Sequence, residues 1–180
     1  GYPIVMKILS SQILHKTEAG CVFIGVESEE ELEKVFNKIL HNAEAYNPEA
    51  KIDGILIQEM ANKSIELIFG VKKDPQFGPV IMVGSGGIFV EVYKDVSIRL
   101  IPIDRSDIEE MLEETKIYDI IKGARGTKYD LEIVIDSLLK ISDLVLNNKD
   151  IMEIDINPFF LYEEGKGGKG VDALIKVNGM

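Results

Sequence analysis

The chain has 180 residues, 46% of them hydrophobic, enough for one domain or two small lobes with a packed core and too apolar for a disordered segment. Its 20 Lys and Arg against 31 Asp and Glu leave a net charge of −11, which argues against general nucleic-acid binding but not against phosphate ligands held by local cations or a metal. The single cysteine, Cys21, forbids an intrachain disulfide and fits a reducing, cytoplasmic setting; the longest uncharged run, residues 75–90, is too short and too broken by glycine and Pro79 for a membrane helix.

Gly1-Tyr2-Pro3 runs straight into a strand over 4–9 with no initiator Met, so a fragment is expected. Residues 10–20 form a polar connection ending in Gly20, and 21–26 a second strand. Ser28 and Glu31 predict a capping box for a helix with an apolar stripe at Leu32, Val35, Phe36, Ile39, Leu40 and Ala43. Strands are expected over 54–60 and 65–71, a rigid turn over 74–79, and strands over 80–83, 89–93 and 96–103. Ser106 and Glu109 predict a second capping box for a helix through Glu114, and Asp130 caps a longer helix with a stripe at Leu131, Val134, Leu138, Ile141 and Val145. The order is not the regular alternation of a parallel α/β sheet, so an α+β fold with mainly antiparallel sheets is expected, divided into lobes 1–60 and 61–180.

Chemistry concentrates near the C-terminus. In an extended strand Glu153, Asp155 and Asn157 share one face while Ile154 and Ile156 point into a core. The Gly/Lys-rich stretch 165–170 then turns the chain back so that Asp172 lies alongside. Oxygen ligands gathered on a hairpin suit Mg²⁺, which takes few protein ligands and completes its shell with water or phosphate, and so point toward a nucleotide.

Other candidates are weaker taken singly. Lys7 inside an apolar strand either holds a phosphate or snorkels at a strand end. His15 beside Lys16 is either a phosphoryl acceptor with a phosphate-binding neighbour or a surface histidine; His41 falls off its helix stripe. Glu59 and Met60 leave a strand where backbone can meet an adenine edge, and Glu66 can accept ribose hydroxyls, yet both carboxylates also fit half-exposed strands. Gly84-Ser85-Gly86-Gly87 either cradles an anion or is a turn, and it is neither a Walker A loop nor a dinucleotide fingerprint. Arg99 and Arg125 are binding groups or plain surface charges.

Taken in order, Ile13-Leu14-His15-Lys16-Thr17, Ile57-Gln58-Glu59-Met60, Lys72 through Pro79, Gly84-Ser85-Gly86-Gly87-Ile88-Phe89-Val90-Glu91-Val92, Asp155-Ile156-Asn157-Pro158 and Val171-Asp172-Ala173-Leu174-Ile175 resemble the ATP-grasp domain of the NDP-forming acyl-CoA synthetases, over essentially the whole chain. The resemblance implies a two-lobed ATP-grasp fold and a ligase that interconverts acyl-CoA, ADP and phosphate with an acid, CoA and ATP through phosphohistidines. It implies Lys7 on the ATP phosphates, Glu59 and Met60 at the adenine, Glu66 on the ribose, and Asn157 and Asp172 on Mg²⁺ with Asp155 adjacent. His15, with Lys16, is implied as the phosphoryl carrier. Gly86, Gly87 and Arg99 are expected as further nucleotide contacts. CoA is expected on a partner α subunit, in an α2β2 hetero-oligomer, or on a fused equivalent, with neither nucleic acid nor membrane involved. The alternatives are a regulatory ATP-grasp module of a protein acetyltransferase, against which His15 argues, and a non-catalytic interaction subunit. Two departures stand out: family members begin several dozen residues earlier, and Cys21 replaces a glycine, which is expected to narrow the phosphate loop.

Overall fold

The computed structural model describes residues 1–87 and 95–178; the strand predicted over 89–93 lies outside them. The chain divides into two compact units, Gly1–Asn62 and Lys63–Met180.

In the first unit, β1 (Ile4–Leu9) is the middle strand of an antiparallel sheet between β2 (Val22–Val26) and β3 (Gly54–Glu59). Strand alternation sends Ile4, Met6 and Ile8 into the core, where α1 (Glu29–Tyr46) covers them with Val35, Ile39 and Ala43. Ser28 caps α1 by accepting from the Glu31 amide, but the Glu31 carboxylate reaches back to the amide of Glu27 rather than that of Ser28. Phe36 is left 43% exposed, because the stripe that docks is narrower than the six apolar positions.

In the second unit a six-stranded antiparallel sheet runs in the order β6-β5-β4-β7-β8, with β9 also paired to β7. These strands are β4 (Ile65–Asp74), β5 (Gly78–Ser85), β6 (Val96–Leu100), β7 (Ile151–Leu161), β8 (Gly168–Gly170) and β9 (Ala173–Val177). Helices α2 (Arg105–Glu113), α3 (Ile117–Ile121) and α4 (Leu131–Asn147) contribute the other side of its core. Leu67, Phe69, Ile81, Met111, Leu112 and Leu138 are all within 1% of complete burial. Each such side chain contributes about 1.5–3 kcal/mol of transfer free energy.

Three local outcomes differ from expectation. First, α2 begins at a different cap: Asp104 accepts from the Asp107 amide and the Asp107 carboxylate accepts from the Asp104 amide, so Ser106 lies within the first turn. An Asp cap is as good as a Ser cap, and this register turns Ile108, Met111 and Leu112 inward. Second, β4 and β5 are longer than their apolar runs, because Asp74 organises the turn between them. Its carboxylate accepts the amides of Gln76 at 2.8 Å and Phe77 at 2.9 Å, and these bonds, Phe77's first, hold it below the usual carboxylate range. Third, β6 stops at Leu100, short of 103: Pro102 has no N–H with which to continue a ladder.

Candidate functional site

The hairpin closing the second unit gathers the acidic and amide side chains. Opposite β4, Leu67 faces Phe159 whereas Phe69 faces Ile156, so β7 spends three steps where β4 spends two. This bulge falls at Asn157-Pro158 and re-aims the strand just where Asn157 must face outward while Phe159 and Leu161 return to the core. On the other edge, the Asn157 amide donates to the carbonyl of Asp172 at 3.2 Å, setting the two residues opposite each other in the β8–β9 break. Gly87 lies against the same bulge, its amide 3.5 Å from Asn157 Oδ1, and a Cβ on Gly87 would collide with the Glu66 carboxylate. Glu66, Gly87, Asn157 and Asp172 thus belong to one locality of the second unit.

The donor set there fits a hard cation. Burial first, then the charges of Glu153 and Asp172, push the Asp155 carboxyl above its usual range, so negative charge is crowded at this point. Glu153 itself is engaged by Lys176 at 2.8 Å. Among the described residues no three His, Cys, Asp or Glu side chains converge as a metal cluster. Asn157 and Asp172, with Asp155 beside them, carry oxygen donors of the kind that Mg²⁺ takes when water or phosphate completes its shell.

The glycine run has a structural explanation alongside the anion cradle. The Ser85 amide donates to the Asp95 carbonyl and the Gly86 amide to the Glu66 carbonyl, so those two N–H groups are already used. Arg99, expected at the nucleotide, makes two hydrogen bonds of 2.6 and 3.1 Å to Glu114. Arg125 is exposed on a turn built from two motifs. Gly123 and Ala124 donate to the carbonyls of Ile120 and Asp119, closing α3, and Gly126 donates back to Gly123.

The Arg99–Glu114 pair sets a measurable acid response. Arg99, then the hydroxyl of Ser97, lowers the Glu114 carboxyl from its ordinary 4.5 to about 2. A depressed pKa contributes stability that is present above 4.5 and is lost as the pH falls through 4.5 toward 2. Glu114 is half exposed and its pairing correspondingly screened, so the effect is modest. In urea unfolding followed from pH 7 to pH 2, Arg99→Gln is expected to lie below wild type at neutral pH and to converge with it at the acid end. A constant gap across the range would show that the pair's charge is not involved.

The first unit carries the remaining candidates. Lys7 alternates out of the core onto the face it shares with Val5, half-buried and paired in register with Val22 and Leu56, so it is not a charge sunk in apolar packing. His15 is exposed, and Lys16 half-buried, in a compact turn. The Ala19 amide donates to His15 O, Gly20 to Thr17 O and Cys21 to Lys16 O. Gly20 has φ +65°, and a Cβ there would lie 2.9 Å from the Asn42 amide nitrogen, which donates to the Gly20 carbonyl at 2.6 Å. The helix thereby pins the turn, through a residue that sequence reasoning passed over because Asn42 lies off the apolar stripe. Cys21 does not narrow the turn: its side chain is fully buried in the core, and burial raises its thiol pKa. Glu59 is exposed at the end of β3, with Met60 half-buried beyond it.

The second unit is an antiparallel sheet with helices packed against its core and an Asn–Asp pair on its closing hairpin, and comparison with known proteins gives its family. The ATP-grasp domain family matches residues 1–177. The chain is 49% identical over 181 residues to the β subunit of acetate–CoA ligase [ADP-forming] II from Pyrococcus furiosus, covering 99% of this chain and 77% of that one. It is 46% identical to acetate–CoA ligase [ADP-forming] I from Archaeoglobus fulgidus, covering 92% of this chain but only 24% of that longer one. An acetyl-coenzyme A synthetase 1 from Ca. Korarchaeum cryptofilum, solved with coenzyme A and Mg-AMPPCP and with its phosphohistidine segment pointing towards the nucleotide site, superposes with a TM-score of 0.82. It is 38% identical, over 99% of this chain and 78% of that one. The chain belongs to the ATP-grasp family, in the branch of the ADP-forming acetate–CoA ligase β subunits. No helix among the described residues is long and apolar enough to cross a membrane.

Proposed function

We propose that the chain is the nucleotide-binding subunit of an ADP-forming acyl-CoA synthetase, interconverting acyl-CoA, ADP and phosphate with the free acid, CoA and ATP. The observation that carries this is 49% identity over 99% of the chain to an ADP-forming acetate–CoA ligase β subunit. The local structure supports it: an exposed histidine on a pinned turn in one unit, and an Asn–Asp pair in a crowded acidic locality in the other.

The side chains divide the work as follows. Glu59 and Met60 meet the adenine as the chain leaves β3, and the Glu66 carboxylate accepts the ribose hydroxyls. The Lys7 ammonium neutralises phosphate oxygens. Asn157 and Asp172, with Asp155 beside them, would hold Mg²⁺, which would supply positive charge against the phosphate oxygens. A nitrogen lone pair of His15 forms the N–P bond to the terminal phosphoryl group as the P–O bond to ADP breaks, and ADP leaves with the electron pair. The Lys16 ammonium stays with the phosphoryl oxygens. In the direction of ATP synthesis the same bond changes run backwards, the phosphoryl group reaching His15 from an acyl phosphate made on the CoA-binding partner, by way of that partner's own histidine. The partner is a separate subunit in an α2β2 assembly, or the equivalent part of a longer chain.

The decisive measurement is ATP formation by the complete complex. With acetyl-CoA, ADP, phosphate and Mg²⁺ together, ATP is expected, and omission of any one should stop it. A complex that makes no ATP from the full mixture sinks the proposal.

A further inference from the structure

The end of β5 is held by a residue to which the proposed function gives no task. Asp95, 9% exposed, lies where the chain enters β6. Its carboxylate accepts three hydrogen bonds: from the Lys116 amide at 2.8 Å, the Ile117 amide at 3.2 Å, and Ser85 Oγ at 2.6 Å. Its carbonyl accepts the Ser85 amide at 3.0 Å. A Cβ on Gly84 would overlap that carbonyl oxygen, so only glycine lets Asp95 come so near. One residue further, the Gly86 amide donates to the Glu66 carbonyl at 2.7 Å, and a Cβ there would press to 2.8 Å from the Leu67 carbonyl oxygen. Gly87 then donates to Asn157 Oδ1. A continuous line of contacts runs from the start of α3 through Asp95, Ser85 and the two glycines to Glu66 and Asn157.

A buried carboxylate is tolerated only when its oxygens are hydrogen-bonded, and both oxygens of Asp95 are. What the carboxylate adds is direction, because its three donors fix it from two elements, the Lys116 and Ile117 amides at the start of α3 and Ser85 Oγ at the end of β5. Asn157 has a matching need: an amide serves as a cation ligand only when its oxygen, not its nitrogen, faces the ion. The Gly87 N–H, 3.5 Å from Oδ1, favours that choice.

We propose that Asp95 is a positioning residue: through Ser85 Oγ it sets the Gly86-Gly87 backbone, and through the Gly87 amide it orients the Asn157 side chain toward the cation. This rests on Asn157 being a cation ligand, as in the proposed function. Because removing a buried carboxylate can unfold the unit, the test is placed on Ser85. Wild type, Ser85→Ala, Ser85→Thr and Asn157→Ala are compared in the complete complex. Mn²⁺ affinity is read from free-ion paramagnetic resonance with ADP present, alongside KM, kcat and the thermal midpoint.

Ser85→Ala is expected to weaken Mn²⁺ binding about tenfold, the lower end for loss of an outer-shell partner. It should raise the nucleotide KM more than it lowers kcat, with only a small fall in thermal midpoint because the Lys116 and Ile117 amides still hold Asp95. Ser85→Thr, which keeps the hydroxyl, should restore wild-type affinity, and Asn157→Ala should weaken binding beyond Ser85→Ala, measured against the Mn²⁺ that ADP binds without protein. Wild-type Mn²⁺ affinity in Ser85→Ala while Asn157→Ala has lost it, absence of rescue by Thr, or a loss that merely tracks unfolding would each overturn the positioning role. Wild-type affinity in Asn157→Ala would instead overturn the cation site itself, and the positioning role with it.

Discussion

His15→Ala is expected to remove all acid-labile, base-stable ³²P from this chain when the complete complex is incubated with γ-³²P-ATP and Mg²⁺. ATP synthesis should fall with it by on the order of 10⁴-fold or more, the scale of deleting a covalent nucleophile whose role no neighbour can assume. The site explains why the loss should be clean. His15 is exposed and its turn is held by backbone bonds from Ala19, Gly20 and Cys21, so alanine removes the imidazole without disturbing the packing beneath it. Stability and nucleotide affinity should therefore stay at wild-type levels, separating a chemical defect from a folding one. Label that persists on this chain in the mutant would remove His15 from the reaction. Label confined to the partner and indifferent to the mutation would leave this chain a non-catalytic subunit.

Asp172→Asn is the second large effect, a loss of about 10³-fold in kcat/KM. A metal's charge stabilisation of phosphoryl transfer amounts to several kcal/mol, and each 1.36 kcal/mol is a factor of about ten. Asparagine keeps the size of the side chain, and the Asp172 carbonyl that accepts from the Asn157 amide is untouched, so the hairpin should hold its register. The substitution is at an exposed position, where stability changes are usually within about 0.5 kcal/mol. Labelling of His15 should fall in parallel, because on the proposed reading one cation site would serve both directions of the transfer. Wild-type turnover in Asp172→Asn would mean that the cation, if needed, is held elsewhere.

Several features were legible because they follow from local rules. Alternation in Ile4–Leu9 places Met6 and Ile8 inside and Lys7 outside; the α1 stripe finds Val35, Ile39 and Ala43; and Asp130 caps α4 by accepting from Ile133. The 153–157 stretch and its Gly/Lys turn could be read as a hairpin carrying outward oxygens, since period-two patterning and glycine turns are short-range signals. Family blocks in the right order then supplied roles that no single block could carry.

Other features depend on partners distant in sequence and could not be read locally. That Arg99 pairs with Glu114, fifteen residues away, could not be read from its place in an alternating strand. Cys21 looked like an intrusion into a loop, but whether a side chain at a strand end points into solvent or core depends on the helix packed over it. Ser106 and Asp104 are equally good caps in isolation, and only burial of Ile108, Met111 and Leu112 selects between them. Sequence alone determined the antiparallel α+β class, the principal strands and helices and the residue types able to do phosphoryl chemistry, because these arise from periodicity, capping and turn preference within a few residues. Tertiary structure alone decided that a bulge at Asn157-Pro158 sets Asn157 against Asp172, and that Gly87 lies between Glu66 and Asn157. It also decided that Asp95 ties β5 to α3, because hydrogen bonds between residues 10 to 70 positions apart exist only once the sheet has closed.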